Sequence, residues 1–175
     1  MGVPIPGLLP SNWEVGMSAQ FQLSSVVDSA DLTSLFDRYK IAGVALKIHY
    51  LQSAPALASG FVGNLPTLHY AFDGDDAFVP PNANSVLVKG YCKTVVLNAN
   101  RPVKVYIKPR LTKEIFQSFA STGYSSEKAC YLDSGSPQVP HFGMKFWLSD
   151  WLGGDDVNNA IRIQPTYYLK LRDTQ

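Results

Sequence analysis

The sequence predicts an all-β domain of two packed layers, a jelly roll, and three observations carry that prediction. Apolar residues alternate at a period of two in about eight separate segments, the signature of half-buried strands. No segment sustains a helical period long enough to serve as the crossover that a parallel sheet requires. The connections are uneven, with long ones after the third and sixth strands, which suits a jelly roll better than an up-and-down barrel.

Length and composition frame the rest. A chain of 175 residues is most simply one domain, here residues 13–175, preceded by an arm at 1–12 whose prolines and glycines favour an extended path. Hydrophobic residues make up 46% and aromatics 12%, enough for a core without staples, whereas charged residues reach only 17% against a usual ~25%. Either the outside is covered by other copies of the chain, or this is a compact β domain rich in Ser, Thr and Asn. The net charge of +1 gives no global field to draw in nucleic acid. The start has no basic n-region of a signal peptide, and no apolar run approaches the ~20 residues of a membrane span, so no membrane insertion is expected.

The elements follow in order. Met17, Ala19, Phe21 and Leu23 alternate with polar residues as a first strand. Leu32, Leu35 and Phe36 mark a short helix over 29–37 that Ser29 or Asp31 can cap. The strand at 39–52 is the axis of the chain: Tyr39 and Ile41 have one parity, Val44, Leu46, Ile48 and Tyr50 the other, so a bulge is expected at Ala42-Gly43. Leu68, Tyr70 and Phe72 face one way in a strand at 67–72, which Asp73-Gly74-Asp75-Asp76 ends. Asn84 and Gly90 bracket one helical turn, and 91–97 reads as a strand. Val103, Val105 and Ile107 alternate cleanly with Lys104, Tyr106 and Lys108. Residues 111–128 fit either a helix carrying Ile115, Phe116 and Phe119, ended by Gly123, or a long loop. Further strands are expected at 129–133, over Phe142–Leu148, and over Ile161–Leu171.

Little of this suggests chemistry. His49, His69 and His141 have no ligand spacing, and structural or surface roles fit each. Cys92 and Cys130 make neither a zinc motif nor a disulfide framework. Asp73, Asp75 and Asp76 are weak calcium candidates, since the EF-hand pattern fails, and a turn held by Asx hydrogen bonds is the competing reading. Asp155-Asp156 reads the same way. No cofactor and no enzymatic activity are implied. The basic residues say more. Lys104, Lys108 and Arg110 share one strand face and its exit, while Arg162, Lys170 and Arg172 share a face of the last strand, with Tyr106 and Tyr168 among them. Such rows serve a solvated face, salt bridges to a neighbouring subunit, or sequence-independent contact with phosphates and unpaired bases.

Four segments, SLFDRYKIAGVALKI, LHYAFDGDDAFVP, RPVKVYIKPRL and VPHFGMKFWL, in this order and with these gaps, resemble the capsid proteins of circovirus-like, Rep-encoding circular single-stranded DNA viruses. The resemblance covers about Met17 to Leu171. It implies a single jelly roll of two four-stranded antiparallel sheets with one or two short helices in loops. On this mapping strand B is about 17–27, C 39–52, D 67–72, E 91–98, F 102–110, G 129–133, H 141–149 and I 160–172. It also implies self-assembly of sixty copies into the smallest icosahedral shell around a circular single-stranded DNA genome, attachment to a host receptor through surface loops, a place in the virion, and assembly in the host nucleus. Members of that family usually begin with an arginine-rich arm that packages DNA and directs nuclear import. Here no basic residue precedes Arg38, and no import signal is present.

Two functions are weighed. A structural subunit works through repeated contacts between copies, for which the loop aromatics Trp13, Phe61, Phe78, Tyr124 and Trp151 are candidates. A lectin-like jelly-roll module would instead use such aromatics with Asp73, Asp75 or Asp76 to grip a sugar. A monomer favours the lectin, a megadalton particle the capsid.

Overall fold

The computed structural model describes residues 13–51, 65–119, 121–151 and 160–174. Among the described residues, ten strands form two antiparallel sheets that close on one apolar core. In chain order they are β1 (Trp13–Phe21), β2 (Phe36–Leu51), β3 (Thr67–Phe72), β4 (Lys93–Val96), β5 (Val103–Ile107), β6 (Arg110–Gln117), β7 (Thr122–Lys128), β8 (Leu132–Asp133), β9 (His141–Trp151) and β10 (Ala160–Thr174). Helix α1 (Ser29–Leu35) joins β1 to β2, and α2 (Asn84–Leu87) lies between β3 and β4.

The smaller sheet is organised on β2, which pairs with β10 along its whole length, with β5 from Val44 to Ile48, and with β8 at Arg38 and Tyr39. The expected phase slip is real. Tyr168 pairs with Gly43 and Leu169 with Ile41, leaving Ala42 as the extra residue of a bulge. The bulge lets both parities serve one core: Tyr39 and Ile41 are buried before it, and Val44, Leu46, Ile48 and Tyr50 after it. The larger sheet is organised on β9, with β1 on one edge and β3, then β4, on the other. The β6–β7 hairpin joins at Phe142, which pairs with Arg110. Met144, Phe146 and Leu148 point from β9 into the core against Leu68, Phe21 and the β2 residues. The opposite face of β9 is also covered: Lys145 and Trp147 are buried, and Trp147 clusters with Ala71 and Val86 of α2. Burial on both faces is why this strand lacks a clean polar alternation.

Several expectations change. Neither Ser29 nor Asp31 caps α1. Asp28 holds that position in the left-handed region (φ 64°) without a side-chain bond, while Thr33 and Ser34 hydroxyls donate back to Ala30 O and Asp31 O. Asn82 rather than Asn84 closes the start of α2, its Oδ1 accepting from Ser85 N at 2.9 Å. Residues 111–117 and 122–128 are neither helix nor loop but strands of a hairpin, which with the unforeseen β1–β9–β3–β4 order makes the larger sheet six-stranded instead of four. The strand lettering also shifts. In a jelly roll one sheet holds C, H, E and F, the other B, I, D and G. The observed neighbours make β1, β9, β3 and β4 the C, H, E and F strands, and β10, β2 and β5 the I, D and G strands. Letters H and I stand, the letters B to F each move on by one, and β5 rather than 129–133 is G. Among the described residues no strand takes the B position beside β10.

Candidate nucleic-acid interface

Directly opposed residues on adjacent strands share a face. The register therefore decides whether the two basic rows meet, and they do. Lys47 lies between Lys104 of β5 and Gln164 of β10, Ala45 between Tyr106 and Thr166, and Gly43 beside Tyr168. Past the bulge Lys40 opposes Lys170 and Arg38 opposes Arg172, and at the other end His49 opposes Arg162. Lys104, Tyr106 and Lys108 thus join Arg162, Tyr168, Lys170 and Arg172 on the solvent face of the small sheet, with β2 between them. Arg110 departs from the row: it opens β6 in the other sheet, with its guanidinium 5.6 Å over the Phe72 ring.

The middle of this face is aromatic. Ala45 and Gly43 leave a trough into which Tyr106 leans. A Cβ on Gly43 would stand 2.6 Å from Tyr106 Cζ, so only glycine admits the ring. Tyr106 and Tyr168 meet edge to face at 5.8 Å and 68°, and each keeps half or more of its surface in water. Beside them a cleft of about 830 Å³ runs between the sheets. It takes Lys40, Tyr106, Lys108 and Lys170 from the small sheet and its margin, and Tyr91, Lys93, Arg110 and Lys128 from the opposite side, with no carboxylate in its lining. Like charges at this density repel one another and are relieved by a polyanion. Phosphates would answer the ammonium groups and exposed rings would accept unpaired bases.

Lys40, Lys47, Lys93, Lys128 and Tyr91 were not singled out in the sequence. The signal for Lys40 and Lys47 was their parity opposite to the buried residues of β2. Nothing local marks the other three. At the far end the charge reverses: Arg38 is paired with Asp173 at 3.5 Å, and Asp37, Asp133 and Asp173 line a pocket with Tyr131, whose ring carries the Arg172 guanidinium at 4.3 Å.

The acidic turn after β3 is occupied by lysines. Lys89 Nζ sits 2.6 Å from Asp73, and Lys145 Nζ donates to Asp76 Oδ1 and to Phe78 O. Burial alone would raise the Asp73 carboxyl, but hydrogen bonds from Lys89 and Asp75 bring it below its ordinary value. Asp75 is pushed up by that same hydrogen bond to Asp73 and by burial. Ammonium groups thus stand where a calcium ion would, and among the described residues no cluster of three His, Cys, Asp or Glu donors could hold a metal. The histidines are dispersed: His49 meets Gln164 at 3.1 Å, His69 meets Thr94 at 2.8 Å, and His141 is buried against Val139 O. Cys92 is half-buried and Cys130 exposed, both unbridged. Among the described residues no helix is long and apolar enough to cross a membrane.

Of the aromatics singled out for subunit contacts, Phe78 (81%) and Tyr124 (63%) are exposed. Trp13 and Trp151 oppose each other at the end of the β1–β9 register; their side chains, Phe61 and Asp155-Asp156 lie outside the described residues.

Comparison with known proteins identifies a family. The family model for the circovirus capsid protein matches residues 10–175. Among solved structures, the chain is similar to the BFDV capsid protein in a 60-mer, with 14% identity, 93% of this chain and 94% of that chain covered, and a TM-score of 0.56. A decameric form of the BFDV capsid protein also matches, with 14% identity over 93% and 99% and a TM-score of 0.48. No curated protein sequence matches. The chain belongs to the circovirus capsid protein family and is a viral capsid protein, a structural component of a virion.

Proposed function

We propose that copies of this chain, sixty in the smallest icosahedral arrangement, assemble into a shell around a circular single-stranded DNA genome, with the basic face of β2, β5 and β10 turned toward the nucleic acid. The observation that supports this reading is the meeting of two cation rows, far apart in sequence, around an exposed tyrosine pair on one sheet face. The contact is sequence-independent: lysines and arginines answer phosphates, and Tyr106 and Tyr168 take bases on their exposed rings. On the same reading the exposed loops carry host attachment, and assembly takes place in the host nucleus.

The test is salt-dependent binding of a labelled oligo-dT, followed by fluorescence anisotropy. Each phosphate contact contributes a slope of about 0.7 in log affinity against log salt for single strands, so Lys108→Ala with Lys170→Ala should flatten the slope by about 1.4. Tyr106→Ala with Tyr168→Ala should instead weaken binding about equally at every salt concentration, by ~1–3 kcal/mol per stacked base lost. Unchanged slope and affinity in both variants would remove this face from the nucleic-acid interface.

A further inference from the structure

We propose that the β6–β7 hairpin is a docking arm whose apolar tip, Ile115, Phe116 and Phe119, inserts into a second copy of this chain; the inference rests on the assembly reading above and names the element that makes the contact.

The hairpin runs over Arg110–Gln117 and Thr122–Lys128 and is closed by Ser118 N donating to Ser121 O at 2.8 Å. Its base is fixed to the larger sheet and to the turn after β3. Arg110 pairs with Phe142, Thr112 Oγ1 donates to Asp75 O at 2.9 Å, and Ser126 Oγ donates to Gly74 O at 2.8 Å. Beyond Thr112 every residue of β6 is exposed. In an arm that needed only to be soluble, those positions would be polar. Instead Ile115 is 65% exposed, Phe116 57%, and Phe119 wholly so.

The backbone brings two of these side chains, Ile115 and Phe116, together. Glu114 pairs with Tyr124 and Phe116 with Gly123, so Ile115 is the extra residue of a bulge, a device that re-aims side chains. Phe116 Cβ and Ile115 Cγ1 lie 3.4 and 3.9 Å from the position a Cβ on Gly123 would take, so both stand on the same face beside a glycine. Tyr124 lies on the other face, beside the Gly74–Asp75 turn.

Area and the family's need for contacts between copies favour a second copy as the occupant. An aromatic side chain buries ~150–250 Å² when covered. The three tip residues therefore offer a substantial fraction of the ~800 Å² per partner that a stable protein interface needs, concentrated as an anchor. An arm on one copy inserting elsewhere on the next is a heterologous contact, the kind that closes rings and that a capsid of identical chains must contain.

The experiment is light scattering and sedimentation of the wild type and a Phe116→Ser/Phe119→Ser variant across micromolar concentrations, with chymotrypsin digestion of both. Loss of two anchors should weaken association by about a hundredfold or more, while the variant's melting temperature as a free subunit stays unchanged. In wild-type particles cleavage after Phe116 and Phe119 should be suppressed relative to free subunits, a readout that does not depend on the variant folding. Wild-type and variant particles of equal stability, or a tip cut equally fast in particles and free subunits, would overturn the arm while leaving assembly standing. The second result would place the hairpin on the outside, available to a lipid or a receptor. A wild type that stays monomeric would overturn the assembly reading and the arm with it.

Discussion

Lys145→Met and Asp76→Asn break the same ion pair from opposite ends, and the burial of the two partners predicts which costs more. The Lys145 side chain is 4% exposed, whereas Asp76 keeps 40% of its surface in water. Methionine preserves the apolar stem and leaves behind a carboxylate that rehydrates and a Phe78 carbonyl on an exposed residue. The loss is therefore about 1–2 kcal/mol, the net worth of a partly screened, charge-assisted bond. Asparagine keeps an acceptor in place but leaves a buried ammonium without the carboxylate it is hydrogen-bonded to, with Asp73 its remaining counter-charge, which costs about 3 kcal/mol. At about 2–4 °C per kcal/mol for a chain of this size, Asp76→Asn should lower the melting temperature by about 6–12 °C and Lys145→Met by about 2–8 °C. Thermal unfolding by circular dichroism on dilute, unassembled protein reads both. If Lys145→Met is the more damaging, or both are neutral, Lys145 does not hold Asp76 and Phe78 of the acidic turn after β3 in the way described.

Two further predictions concern a buried histidine and the aromatic trough. Burial pushes the His141 imidazole below its ordinary 6.5, so the unfolded chain takes up a proton first as pH falls. The stability that neutral His141 contributes is present above pH 6.5 and is lost as pH drops from there toward the folded pKa, at up to about 1.4 kcal/mol per pH unit. Urea midpoints should fall with acidification in the wild type and more shallowly in His141→Gln. Gly43→Val should drive Tyr106 out of its trough and weaken oligo-dT binding by a factor of several, with a stability cost of about 1–3 kcal/mol or less because the ring is free to swing into water. Unchanged DNA affinity in a folded Gly43→Val protein would show that the position of Tyr106 does not matter to binding.

What the sequence revealed was what local pattern can encode. The bulge at Ala42 was legible because Tyr39 and Ile41 change parity against Val44 and Leu46 within one strand. The two basic rows were legible because β5 and β10 alternate cleanly. Their convergence was not, because it depends on pairings between distant segments, such as Lys47 with Gln164 and Lys40 with Lys170, which no local signal specifies. The same gap explains the shifted strand letters, since the neighbours of β1 and β2 are set by the last two strands. The β6–β7 hairpin was missed for another reason. Reading periodicity assumes that apolar residues point into their own core, and Ile115, Phe116 and Phe119 do not. Their helix-like spacing is a by-product of a bulge and a turn.

The fold, the charge distribution and the family together describe a subunit that is almost neutral as a whole, with two rows of cations meeting on one sheet face and Ile115, Phe116 and Phe119 exposed near the end of a hairpin. Ultraviolet cross-linking of single-stranded DNA to the assembled protein, with adducts mapped by mass spectrometry, tests this most directly. Adducts should concentrate on Tyr106 and Tyr168, with Tyr91 across the cleft. Adducts confined to the hairpin or to the turn around Phe78, with none on β5 or β10, would contradict it.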